Sequence, residues 1–427
     1  MSCERERSGP KLQGRRLIAA GVACSLPLLL SFDTVVAIVD GWRPQRGVER
    51  LACVGLAAAA CAALVGLATR RGRAAISDRW VPLVFLTGLL LTALLVLELS
   101  TPPHAPFHLR TPGLRATLDP GSSIPGVTGP GRFSANGEGI RGEDLPSSDR
   151  TYKILCVGGS TTECLYLDDD EAWPHLVQEL LPVRWGRDVW VGNAGMSGYA
   201  AAEHRAFLDG LDLLSRIDCV VMLVGFNDLN MVALGGRGPV APWKSARWAR
   251  SALVRTLKGV QRRWQGDPQE LTPRGEFFEV RRRLRRTAPK VDRLPDLSTD
   301  LAAYEAHLGE IVRTCARRGV RLVFVTQPTL WRQELDRAAE GLLWAGWTRD
   351  RARYYTAEAL QEGMARFNER LAEVARREEV ELIDLEEISG HPRWFADDCH
   401  YTEEGSRAVA MAVASRLAPP RPSPRSR

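Results

Sequence analysis

The 427-residue sequence predicts an α/β protein: a doubly wound, three-layer α/β/α sandwich with a mainly parallel sheet, preceded by about three N-terminal transmembrane helices. Three observations predict it. Long apolar runs crowd residues 1–100, short apolar strands alternate with helical segments beyond residue 150, and the turns after those strands carry Gly, Ser, Asn, Asp and His. At about 150 residues per domain the length gives two to three units. The 45% hydrophobic and 25% charged content excludes collagen-like, disulfide-stapled and wholly disordered chains. The net charge of +6, from 57 basic and 51 acidic residues, is too balanced for a nucleic-acid binder.

The anchor spans residues 1–100, with transmembrane helices expected near 17–39, 51–69 and 80–98. Each run approaches the roughly 20 apolar residues a bilayer crossing needs. Asp33 makes the first run costly in lipid unless it faces another helix or the interface. Two further apolar runs argue against a cleaved signal peptide. Orientation follows the basic residues of the short loops. The N-terminal tail (Arg5, Arg7, Lys11, Arg15, Arg16) and second loop (Arg70, Arg71, Arg73, Arg79) carry nine, against three in the first loop (Arg43, Arg46, Arg50). The N-terminus is therefore expected in the cytoplasm, and three crossings put the rest of the chain in the periplasm or outside the cell. The membrane bilayer is an expected partner and nucleic acid is not.

Residues 101–150 read as a Pro/Gly-rich linker and lead-in, with Pro102, Pro103, Pro106, Pro112, Pro120, Pro125 and Pro130 among glycines and polar residues. Residues 151–418 read as the catalytic domain and 419–427 as a disordered tail. Expected strands are Lys153–Gly158, Asp188–Gly192, Asp218–Gly225, Val320–Thr326 and Val380–Leu385. Expected helices are Glu171–Leu181, Tyr199–Leu214, Leu301–Arg318, Thr356–Arg377 and Thr402–Leu417. The continuous apolar run of the third strand suits burial on both faces of a parallel sheet. Cys156 and Cys219 fall in strands as small buried hydrophobes, and the cysteine spacing fits no zinc motif.

Chemistry in such sheets gathers at the carboxyl ends of the strands. The first strand ends in Gly158-Gly159-Ser160-Thr161-Thr162, the second in Asn193-Ala194-Gly195-Met196-Ser197-Gly198 and the third in Gly225-Phe226-Asn227-Asp228; the last is followed by Asp397-Asp398-Cys399-His400. A serine hydroxyl is a weak nucleophile until a base removes its proton. Three residues before His400 stands Asp397, spaced to hold the imidazole's tautomer and stabilise the imidazolium; Asp398 is its rival. A tetrahedral oxyanion needs donors, which Ser160 N–H, Gly198 N–H and the Asn227 amide can supply. Alone, each motif has a plain structural reading as a turn or helix cap; all four in order favour catalysis.

This constellation resembles the SGNH hydrolases, the GDSL esterase/lipase family, over roughly residues 133–418. The resemblance implies a flavodoxin-like sandwich with Ser160 as nucleophile and first oxyanion donor. It makes Gly198 and Asn227 the other donors, His400 the general base and Asp397 its partner. The chain has Gly-Gly-Ser-Thr where the namesake motif has Gly-Asp-Ser-Leu, a variant found in bacterial members. Asn136-Gly137-Glu138-Gly139-Ile140-Arg141-Gly142 resembles the stretch before the first strand in membrane-associated members. The expected function is a membrane-anchored serine esterase hydrolysing acyl esters, O-acetyl among them and carried on a carbohydrate in one reading, with no metal or organic cofactor. An O-acyltransferase acting on an envelope polysaccharide and a non-catalytic envelope binding module are the alternatives.

Two segments elaborate the core. Residues 230–300 form a basic insertion in which Leu253, Leu257, Val260 and Trp264 make one helical stripe, read as a cap over the active site or a membrane-surface helix. The cluster Arg281, Arg282, Arg283, Arg285 and Arg286 reads as a solvated helix face. Trp331, Trp344, Trp347, Tyr354 and Tyr355 read equally as core packing, a sugar platform or an acyl pocket.

Overall fold

The computed structural model describes residues 110–235 and 275–420, apart from 111, 122, 123 and 351. These belong to one compact unit, residues 105–240 with 268–427. The expected transmembrane helices, the stripe from Leu253 to Trp264 and the tail from residue 421 lie outside the described residues. Among the described residues no helix is long and apolar enough to cross a membrane.

The central sheet has five strands: β3 (Tyr152–Gly158), β4 (Val189–Gly195), β5 (Cys219–Leu223), β7 (Arg321–Val325) and β9 (Glu381–Ile383). Their order is β4-β3-β5-β7-β9 and every pairing is parallel. That is the flavodoxin-like order, second-first-third-fourth-fifth, whose switch point lies between β3 and β5. Every residue of β3, β4 and β5 is buried, as expected of strands covered on both faces. Burying each large aliphatic side chain there contributes about 1.5–3 kcal/mol.

Helices cover the sheet. The pair α2 (Trp173–Trp185) and α8 (Glu403–Arg416) packs together, and α3 (Ala201–Gly210) packs on α5 (Ser298–Arg318), which packs on α7 (Ala357–Arg377). Sequence chemistry sets their starts. Thr356 caps α7 by accepting from Ala359 N–H, and Thr402 caps α8 by accepting from Gly405 N–H. Gly186 and Gly319 end α2 and α5 in the left-handed conformation.

The lead-in is more ordered than its proline content suggests. It carries the antiparallel pair β1 (Arg115–Leu118) and β2 (Gly131–Ser134). The Asn136–Gly142 stretch then folds on itself: Asn136 Oδ1 accepts from Glu138 and Ile140 N–H, and its amide donates to Glu143 O. Arg141 bridges to Asn193 at the end of β4, joining this stretch to the sheet edge.

The arginine cluster is a correction. It lies on α4 (Gly275–Thr287), but Arg282 and Arg285 are buried at 9% and 2% exposure, while Arg283 and Arg286 are solvated. Arg282 donates to Leu342 O and Ala396 O, and Arg285 to Ala345 O. Phe278, Arg282 and Arg285 recur at helical spacing on one inward face.

Candidate active site

Ser160 opens α1 (Ser160–Glu163), a single turn directly after β3. The first N–H groups of a helix have no intrahelical acceptor, so Ser160 N–H stands where an anion would meet it. The turn sits tightly in the sheet. A Cβ on Gly195 would lie 2.1 Å from Glu163 N, so only glycine lets β4 approach α1 this closely. The carbonyls at its far end are taken up by side chains from elsewhere. Arg141, 4% exposed, donates to Glu163 O and Cys164 O at 2.7 and 2.8 Å, and Asn193 Nδ2 donates to Thr162 O at 2.7 Å. Arg141 also donates to Leu167 O and Arg132 O, pairs with Asp169 at 2.9 Å, and lies 4.5 Å over the Phe133 ring.

His400 Nε2 lies 2.7 Å from Ser160 Oγ, and His400 Nδ1 lies 2.7 Å from Asp397 Oδ2. Asp397 and His400 sit on a tight loop in which Ala396 N–H donates to His400 O. Asp397 Oδ1 accepts from Cys399 and His400 N–H, an Asx turn that explains the three-residue spacing. Burial alone would lower the His400 imidazole, but the neighbouring carboxylate holds it above its ordinary value. Burial works against Asp397 as well, yet the His400 charge and hydrogen bond keep its carboxyl below the usual range.

Asp398 points the other way. It is fully buried and accepts from Trp331 Nε1 and Trp344 N–H at 2.7 Å each and from Ala345 N–H at 3.1 Å. Burial pushes its carboxyl up, against the opposing charge of Arg285.

The expected oxyanion donors gather at the same strand ends. Asn227 follows β5, and a Cβ on Gly159 would lie 2.7 Å from its Nδ2. That amide gives one hydrogen to Tyr199 O at 2.8 Å, and its second is a further donor. Gly198 lies in the turn Met196–Tyr199, closed by Tyr199 N–H to Met196 O, with φ +78°. A left-handed residue at this turn position favours glycine. Asp228 accepts from Ala201 N–H, tying the start of α3 to the end of β5; burial pushes its carboxyl up to about 7.

Sequence reasoning missed Phe278 as a site residue, and it named Trp344 among the clustered aromatics without its hold on the carboxylates. Trp344 Nε1 donates to Asp397 Oδ2 at 3.0 Å while its backbone N–H holds Asp398, so one residue serves both carboxylates. Phe278 lies edge-on to His400 at 5.8 Å and contacts Trp344 at 5.2 Å. The signal for Phe278 is its helical spacing to Arg282 and Arg285; the aromatic cluster flagged Trp344, but nothing in the sequence pointed it at carboxylates more than 50 residues away. The other aromatics are mostly core: Trp331, Tyr354 and Tyr355 are buried, and Trp331 stacks on Phe226 at 5.3 Å.

Among the described residues, Asp397, Cys399 and His400 are the group whose ligand atoms come within 4.8 Å of one another. Their atoms suit proton transfer better than a metal. The carboxylate and imidazole already hydrogen-bond, and burial pushes the Cys399 thiol far above its usual range, away from thiolate.

The model of the GDSL-like lipase/acylhydrolase family matches residues 156–408. The chain belongs to this family. As a GDSL-like hydrolase it cleaves ester bonds. No curated protein matches its sequence significantly. Solved structures similar to this GDSL-like hydrolase include the acetyl xylan esterase AlAXEase, 15% identical over 62% of this chain and 100% of that one, with TM-score 0.37. Axe2, an acetylxylan esterase from Geobacillus stearothermophilus, is 14% identical over 62% and 94%, with TM-score 0.37. LAE5, an α/β hydrolase enzyme from the metagenome of Lake Arreo, Spain, is 17% identical over 62% and 94%, with TM-score 0.36.

Proposed function

We propose that this GDSL-like hydrolase is a serine esterase working through an acyl-enzyme on Ser160. The observation that carries the reading is the continuous line from Ser160 Oγ through His400 to Asp397, 2.7 Å at each step. Ser160 Oγ attacks the ester carbonyl carbon while His400 Nε2 takes its proton and Asp397 stabilises the imidazolium. The oxyanion meets Ser160 N–H, Gly198 N–H and the second hydrogen of the Asn227 amide. Collapse breaks the ester C–O bond, His400 returns the proton to the leaving alkoxide, and the acyl group stays on Ser160. Water, deprotonated by His400, adds to the acyl carbon; collapse breaks the bond to Ser160 Oγ, His400 returns the proton to that oxygen, and the carboxylic acid leaves.

Acetyl esters are one candidate substrate class. Gly159, Ser160, Tyr199, Phe226, Asn227 and Gln327 border a narrow cleft beside the nucleophile. The arginine bias of residues 1–100 supports a membrane anchor with the catalytic unit outside the cytoplasm.

Fluorophosphonate labelling of the full-length protein, beside Ser160→Ala, tests the reading. A single adduct on Ser160, absent from the variant, is the expected result. Folded wild-type protein that takes no adduct would overturn it.

A further inference from the structure

Glu163 closes the turn that Ser160 opens, and its side chain is only 1% exposed. A carboxylate is costly in such a place unless charge or hydrogen bonds compensate it. Two partners do. Glu163 Oε2 accepts from Ser197 N–H at 2.9 Å and also from the Ser197 hydroxyl. On its other side it pairs with the guanidinium of Arg110, itself 13% exposed. Arg110 is held in turn by its N–H to Gly139 O at 3.0 Å and by the Phe133 face, 5.7 Å from its guanidinium.

Ser197 is the residue before Gly198, and the loop Gly195-Met196-Ser197-Gly198 holds two glycines. A backbone N–H stabilises an oxyanion well only when it is held in place before the charge develops. Such a loop needs an external brace. We propose that Glu163 is a positioning residue that ties the Gly198 donor to the nucleophile's own helical turn, and that Arg110 of the lead-in completes the clamp. Nucleophile and second oxyanion donor then move as one body. Arg110 and the lead-in strands β1 and β2 are then part of that body. This inference rests on Ser160 and Gly198 having the roles proposed above.

The test uses full-length protein and p-nitrophenyl acetate, with kcat, KM, thermal midpoint and the rate of fluorophosphonate labelling measured together. Glu163→Ala is expected to lower kcat by roughly 10- to 100-fold with KM within about twofold, and to slow labelling in parallel. Glu163→Gln keeps an acceptor oxygen for Ser197 N–H and is expected to recover most of the rate. Arg110→Met falls between wild type and Glu163→Ala. Should Glu163→Ala not fold, Arg110→Met decides alone: a lower kcat at unchanged KM supports the clamp, and wild-type kcat overturns it. Folded Glu163→Ala with wild-type kcat overturns it too, as does a Glu163→Gln variant no better than Glu163→Ala. A wild-type protein that neither labels nor hydrolyses defeats the serine-esterase reading instead.

Discussion

The two halves of the site are held in place by different chemistry. On the nucleophile side, apart from the Glu163 clamp, the supports are donors to backbone carbonyls: Arg141 and Asn193 take up the end of α1, and glycines allow backbone to lie on backbone. On the acid–base side, the supports are donors to carboxylates: Trp344 Nε1 on Asp397, and Trp331 Nε1 with two backbone N–H groups on Asp398. The first kind secures geometry, since neutral carbonyls do not change the charge of the serine. The second kind also sets charge, because each donor to a carboxylate shifts the proton balance along the pair. Damage to the two sides should therefore be read out differently, in stability on one and in pH dependence on the other.

The largest expected effect removes the line between the sides. Ser160→Ala and His400→Ala should each lower kcat by roughly 10⁴-fold or more, and Asp397→Asn should cost less than His400→Ala. Steady-state kinetics on p-nitrophenyl acetate checks this. Equal residual rates for Asp397→Asn and His400→Ala would count against the assigned roles.

The supports come next. Arg141→Ala strands several buried carbonyls and the Asp169 charge, and should lower the thermal midpoint by on the order of 10 °C. Calorimetry measures it, and an unchanged midpoint would break the comparison on the nucleophile side. Trp344→Phe keeps the aromatic contacts and removes one donor from Asp397. A charge-assisted bond of about 1.5–3 kcal/mol predicts a loss of roughly 10- to 150-fold in kcat/KM. The sign of the accompanying pH shift follows from the charge. With one donor fewer the carboxylate holds the imidazolium proton more strongly, so the acid limb of the pH–rate profile moves up.

The wild-type profile is itself informative. His400 must be neutral to act as base, and its pKa is raised from 6.5, so activity should fall with acid through a midpoint above 6.5. A midpoint at or below 6.5 would mean that the Asp397 charge is not felt. The smallest effect belongs to Asp228. A buried carboxyl raised from 3.8 to about 7 favours the fold while protonated, so its share of stability is present at low pH and is lost as pH rises from about 4 to 7. Asp228→Asn should flatten that part of the stability curve, visible as a smaller fall in thermal midpoint over the same range. An unflattened curve would assign the slope elsewhere.

Local sequence carried much of this. Strand and helix positions follow from hydrophobic period, and each expected strand of residues 151–418 has its counterpart in the sheet within a few residues. The proposed site residues Ser160, Gly198, Asn227, Asp397 and His400 can be named from the sequence because the proposed chemistry needs those residue types and the fold brings strand ends together. The lead-in was not legible as folded structure, since its strands are four residues long and its prolines and glycines speak for a linker. The inward arginines of α4 were hidden by their exposed neighbours, because charge is a property of composition and burial is a property of packing.

By itself, then, the sequence determined the order of the sheet strands and their helices, the parallel sheet, the candidate catalytic residue types and the family resemblance, all of which rest on short-range pattern. The three-residue spacing favoured Asp397 over Asp398, and the tertiary structure shows Asp398 turned away to Trp331 and Trp344. It alone brought Trp344 to both carboxylates and Glu163 to Ser197, and it turned Arg141 from a motif letter into a buried brace. Apart from the Asp397–His400 pair, these are contacts across 22 to 67 residues, and direction in space is not encoded in the spacing of residues along a chain.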